Sequence, residues 1–291
     1  MSEKGFVISI STFLVMITVV WFSMFYTGLV QNQEADIYSN YPIEKAGFVA
    51  DDIIWDVNQI VGIGQNVERG INFMQIEISD KMPADINKLQ LIDYNKFIDG
   101  NYSERQNASI ALDFANLLDG KIELLFSNGL VYEHQYSGDE NYAMFYKDDP
   151  QGTEVLSYDI NVFVQNARYD AASSTAWNCD NHSIIVNLRY SDSYGESVGS
   201  FCTQNPNNSY SYSFAFIDIA GNLTVSFGSI SGNKNAVKVA NSIENPNASV
   251  LVSIDANLAS TAEEIVWYYD ADLNYAQENV ELNSKIELGR S

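Results

Sequence analysis

Cations are scarce in this chain. Fifteen Lys and Arg stand against 38 Asp and Glu, a formal net charge of −23 over 291 residues. Such a surface repels DNA, RNA and anionic headgroups, which excludes nucleic acid as a partner. Histidine is scarcer still, with only His134 and His182. No H-E-x-x-H segment and no C-x-x-C pair is present, so the common zinc patterns are excluded. There is no P-loop and no G-x-G-x-x-G fingerprint. Acidic residues are so many that no pair of them points to a glycosidase. The chain therefore reads as a non-enzyme, with no catalytic residues to name and no cofactor required.

Cysteine is limited to Cys179 and Cys202. They flank a hairpin signal, so a structural disulfide between them is expected in an oxidising compartment. Six N-x-S/T sequons, at Asn101, Asn107, Asn181, Asn207, Asn222 and Asn247, are candidate glycosylation positions.

What the chain does have is a long uncharged run. From Gly5 to Val30 no charged residue occurs. As a helix the run would measure about 39 Å, more than the about 30 Å of a hydrocarbon core. Its polar groups are Ser and Thr, whose hydroxyls can bond the helix's own carbonyls. A transmembrane helix is the expectation. Lys4 precedes it, and no Lys or Arg follows until Lys45. The positive-inside rule then predicts a single-pass protein of the cell membrane, N-terminus cytoplasmic and residues 31–291 extracellular. A cleaved secretory signal fits less well, because the run is too long and Val30-Gln31-Asn32-Gln33 offers no A-x-A site.

The leader Met1-Ser2-Glu3-Lys4-Gly5, followed by Phe6 and the apolar helix, resembles that of archaeal type IV pilin-like proteins. The bacterial version carries Glu at the fifth mature position, where this chain has Ile10. The resemblance covers about thirty residues. It implies peptidase cleavage between Gly5 and Phe6. It also implies packing of copies through residues 6–30 in an extracellular filament.

Beyond the run, residues 31–42 are polar and end in Pro42. Proline cannot continue a helix from behind, so a break is expected there. Ile43, Ala46, Ala50, Ile53, Ile54, Val57, Ile60 and Val61 then follow helical spacing, stopped by Gly62 and Gly64. Ile71–Ser79 alternates like a strand, and Ala108–Leu118 reads as a short helix. Ile122–Phe126, Ser127-Asn128-Gly129 and Leu130–Tyr132 form a hairpin signal. Strand signals follow at 155–164, 183–190, 199–203, 210–218, 223–228, 236–240, 249–255 and 264–269. Tyr210, Tyr212, Phe214 and Phe216 alternate with Ser211, Ser213 and Ala215, the pattern of a half-buried strand.

The expected class is α+β: a transmembrane helix, then a mainly antiparallel β-sandwich or jelly roll. The expected divisions are 1–30 for the leader and helix, 31–120 for a mixed α/β segment, and 121–291 for the sandwich. Asp270, Asp272, Asn274 and Glu281 are spaced like a calcium loop, although Tyr275 stands where such loops carry Gly. The expected role is structural or adhesive, at a cell surface, as a subunit of a pilin-like filament with membrane and self contacts. The alternative is a tethered sandwich that binds glycan or protein without polymerising.

Overall fold

Residues Glu3–Val61 form one helix, α1, 59 residues long. The computed structural model describes residues 3–70, 74–82, 88–136, 141–148, 153–175, 184–205, 207–259, 264–277 and 280–290. Within α1, side chains are described for residues 16–27, at 41, and from 43 onward. The break expected at Pro42 is absent, because the helix runs through it. Proline removes one intrahelical bond. The turns that follow are held from outside: Ala46, Val49, Ile53, Val57 and Val61 are all buried, three or four residues apart. Each Val or Ile of this stripe contributes roughly 1.5–3 kcal/mol when fully buried, and Ala46 less. Gly62 ends the helix at φ +71°, and its N–H donates to the Asn58 carbonyl at 3.0 Å.

The strands follow in order. First come β1 (Gly64–Arg69) and β2 (Met74–Met82). Then come α2 (Lys88–Phe97), a π-helical turn (Ile98–Tyr102), α3 (Ser103–Gln106), β3 (Ser109–Asp113) and α4 (Ala115–Asp119). Next are β4 (Lys121–Phe126), β5 (Leu130–Gln135), β6 (Asn141–Lys147), β7 (Val155–Gln165) and β8 (Tyr169–Thr175). After these are β9 (Ile184–Asp192), β10 (Ser197–Gln204), β11 (Ser209–Phe216) and β12 (Ile219–Ile230). The chain closes with β13 (Asn233–Asn241), β14 (Ser249–Leu258), β15 (Val266–Gln277) and β16 (Val280–Arg290).

Two sheets result. One has six strands in the order β1-β2-β14-β7-β9-β10. The other has ten, in the order β16-β15-β4-β5-β6-β13-β12-β11-β8, with β3 also on β15. Pairing is antiparallel except between β7 and β9. That parallel pair needs a long connection, and the chain supplies it by placing β8 in the other sheet. The sheets meet through aromatic side chains. Tyr158 of β7 lies edge-on to Phe145 of β6 and Phe227 of β12, at 6.1 and 5.9 Å. Tyr190 of β9 stacks on Phe214 of β11 at 4.5 Å. This is a sandwich, and the lower half of α1 contacts β15 and β16 at one end of it.

Several expectations change. Among the described residues, no helix is long and apolar enough to cross a membrane. The transmembrane, single-pass anchor is corrected on this ground. So are the cell-membrane location with its inside–outside orientation and the α+β class built on the anchor. The fold is mostly β, with one long helix. The helix expected over 108–118 is instead β3 followed by the short α4. Ile110 and Leu112 are buried with exposed neighbours between them, a period of two. The expected division at residue 120 crosses hydrogen-bonded sheet: β2 pairs with β14, and β3 with β15. Residues 71–73 of the first predicted strand lie outside the described residues.

Candidate assembly interface

An α-helix that is apolar on every side belongs in an interior. Residues 16–26 of α1 are apolar on every side and exposed. Met16 is 65% exposed, Trp21 and Phe22 are each 74%, Met24 is 70% and Phe25 is 60%. Ile17, Val19, Val20 and Tyr26 are exposed as well. The hydroxyl of Thr27 donates to the Ser23 carbonyl at 2.8 Å. The helix thus satisfies that polar group itself and can enter a dry interior. The buried stripe on the head begins at Ala46, about 65 Å of helix beyond Glu3.

A second exposed strip lies farther along α1, beside the head. Tyr41, Phe48 and Trp55 are spaced by seven and are 62%, 70% and 67% exposed. At 3.6 residues per turn they lie opposite the stripe of Ala46, Val49, Ile53 and Val57. Glu44, Asp51 and Asp52 are exposed near them or between them. The head grips the flank of α1 with tyrosines: the Tyr94 hydroxyl donates to Asp56 at 3.1 Å, and that of Tyr102 to Asp52 at 3.0 Å. Burial and the neighbouring Asp52 carboxylate push the Tyr102 hydroxyl up to about 12. Lys45 donates to the Gln106 carbonyl. The cleavage pair Gly5-Phe6 lies in the first turns of α1, where only the backbone is described.

The other predicted positions are scattered over the head. Cys202 is buried and disulfide-bonded. Cys179 and Asn181 lie outside the described residues. Asn101, Asn107, Asn207, Asn222 and Asn247 are all exposed. The Asn222 amide oxygen accepts from the Ser242 hydroxyl at 2.8 Å. Asp270, Asp272 and Asn274 do not form a loop. They alternate along β15, while Glu281 sits on β16. The Asp270 carboxylate is taken by Lys285 and by the Asn116 amide. Among the described residues, no group of three or more His, Cys, Asp and Glu is placed to hold a metal ion.

Two features escaped the sequence reading. The first is a buried polar cluster between the sheets. Asp80 of β2 receives the Lys81 N–H at 2.7 Å and the Tyr132 hydroxyl. His134 Nδ1 lies 2.6 Å from the same carboxylate without an aligned hydrogen bond. Burial first, then the Asp80 charge, raises the Tyr132 and Tyr269 hydroxyls. His134 is fully enclosed, and the cluster ties β2 to β5. The second feature is Gly195-Glu196-Ser197-Val198-Gly199, which fits the G-x-S-x-G pattern of hydrolase nucleophiles. That motif needs strand, turn and helix. Here the second arm is strand β10, and His134 is sealed in the core, so the serine has no described base. No family model, curated protein or solved structure matches this chain.

Proposed function

We propose that this chain is a structural subunit of a filament of the type IV pilin-like kind, assembled from copies packed through the N-terminal part of α1. One observation carries the reading: residues 16–26 are apolar all round, yet exposed. A side chain such as Phe or Met gains roughly 1.5–3 kcal/mol on full burial, so nine exposed ones in one helix segment favour association strongly. Continuity supports it too. The helix that presents this surface is the one fixed into the head, so order in a helical core would be passed to the sandwich. The resemblance of the Lys4-Gly5-Phe6 leader supports processing after Gly5. The exposed stripe of Tyr41, Phe48 and Trp55 supplies a second contact strip along the same helix. The test is the N-terminal residue of the protein from its native source, together with electron microscopy of the same preparation. The reading expects Phe6 and filaments. An intact N-terminus with no particles larger than a monomer would refute it.

A further inference from the structure

The outer face of the six-stranded sheet is a polar platform with a cavity of about 590 Å³ on it. Register places its side chains in rows that cross the strands. Ser79, Ser253, Asn161 and Arg189 stand in line across β2, β14, β7 and β9. In the next row Lys81, Leu251 and Phe163 stand in line across β2, β14 and β7. All of these face outward, because their neighbours along each strand are buried.

Two properties of this platform stand out. Three charged residues line the cavity: Asp80, whose buried carboxylate is held by the Tyr132 hydroxyl and the Lys81 N–H, and the outward-facing Lys81 and Arg189, both cations in a chain with a net charge of −23. Arg189 is exposed, makes no ion pair among the described residues, and faces Gly199 on β10, which puts no side chain beside the guanidinium. The floor between the cations mixes apolar Phe163 and Leu251 with Asn161 and Ser253. One row further along, Glu77, Asp255 and Asp159 stand in register on β2, β14 and β7. That row repels a dense polyanion, while sparse carboxylates can still reach Arg189.

We propose that this face binds a carboxylate-bearing oligosaccharide, with Arg189 as its carboxylate ligand. Guanidinium matches a carboxylate with two parallel hydrogen bonds. Serine and asparagine both donate and accept, as sugar hydroxyls require. Phe163 and Leu251 offer apolar surface to the C–H faces of a ring. Three strand spacings and a two-residue offset separate Lys81 from Arg189 by about 16 Å, the reach of an oligosaccharide rather than one sugar. None of the five described sequons lies on the six strands of this sheet, so glycans attached there would leave the face clear.

The experiment is calorimetric titration of the full chain with tetragalacturonate, a glucuronate-containing tetrasaccharide and 3′-sialyllactose. Cellotetraose and inorganic phosphate serve as comparisons. The proposal expects at least one acidic sugar to bind. Arg189→Gln should then weaken it about tenfold or more, the worth of a hydrogen bond to a charged group. Phe163→Ala should weaken it as well. Binding should fall with added salt. Circular dichroism should show both variants folded, as expected for an exposed and a half-buried position. Failure of all three acidic sugars to bind would overturn the proposal. So would equal binding of cellotetraose with no effect of Arg189→Gln, or displacement of the sugar by phosphate at matching affinity.

Discussion

Asp255→Asn should stabilise the head. Asp255 sits on β14 directly between Glu77 on β2 and Asp159 on β7. Burial first, and then these two carboxylates, raise its pKa above the ordinary value, while the Ser253 hydroxyl opposes the rise. The folded state therefore holds the Asp255 proton more tightly than the unfolded chain does. The contribution of Asp255 to stability is fully present below the unfolded value of 3.8 and is lost as pH rises through the raised value. Like charges on adjacent strands, about 5.5 Å apart, repel by about 0.75 kcal/mol per pair in a water-like dielectric. Measured cross-strand pairs span about 0.2–1 kcal/mol. Two pairs, screened by salt, make the expected gain about 1 kcal/mol at pH 7. Asparagine keeps an oxygen for the Ser253 hydroxyl, which reaches Asp255 at 3.2 Å. The assay is urea denaturation of wild type and variant at pH 7 and pH 3. The variant should be more stable at pH 7, with the two curves converging at pH 3. A variant less stable at pH 7, or equally displaced at both pH values, would refute the electrostatic account.

Three further outcomes follow from the packing. Ile53→Ala removes a fully buried side chain between α1 and the head and should cost about 2–5 kcal/mol, read as a lower denaturation midpoint. Asp192→Ala should weaken the β9–β10 hairpin by about 1–3 kcal/mol at neutral pH, because the carboxylate accepts the N–H groups of Tyr169, Tyr194 and Glu196. These backbone bonds outweigh burial and lower the Asp192 pKa, so its contribution is present above 3.8 and fades as pH falls through the lower folded value. The gap between Asp192→Ala and wild type should therefore narrow in acid denaturation below that pH. Gly228→Ala should unfold the edge near β11, since Gly228 has φ +107° and a Cβ would lie 1.8 Å from the Asn208 carbonyl oxygen. Loss of thermal stability by several degrees is the expected readout.

Parts of this structure were legible because local chemistry dictated them. Asn128-Gly129 makes its tight turn with Gly129 at φ +81°, and β4 and β5 flank it as predicted. Tyr210 and Phe214 point into the core from β11 as their alternation implied. Strand β16 was missed because Leu282-Asn283-Ser284-Lys285 has little to bury. It is an edge strand of the ten-stranded sheet, and so is β8, with Ala171-Ala172-Ser173. Edge strands lack a second neighbour and carry weaker signals. The Asp80–His134 contact joins residues on two sheets, and no local pattern announces it. The platform around Arg189 is similar: four strands far apart in sequence meet only through register. The sequence alone divides the helix in two because Pro42 is a local breaker, whereas the buried stripe beyond it is a tertiary effect.

The central claim is that α1 joins copies of the chain through residues 16–26. Sedimentation velocity of the chain and of Phe22→Glu, over a range of concentrations without detergent, tests it most directly. Phe22 is 74% exposed, so the charge leaves the head's fold intact. The account predicts large assemblies for the parent chain, and monomers with an unchanged denaturation curve for Phe22→Glu. A parent chain that sediments as a monomer at every concentration, or a variant that assembles equally well, would contradict it.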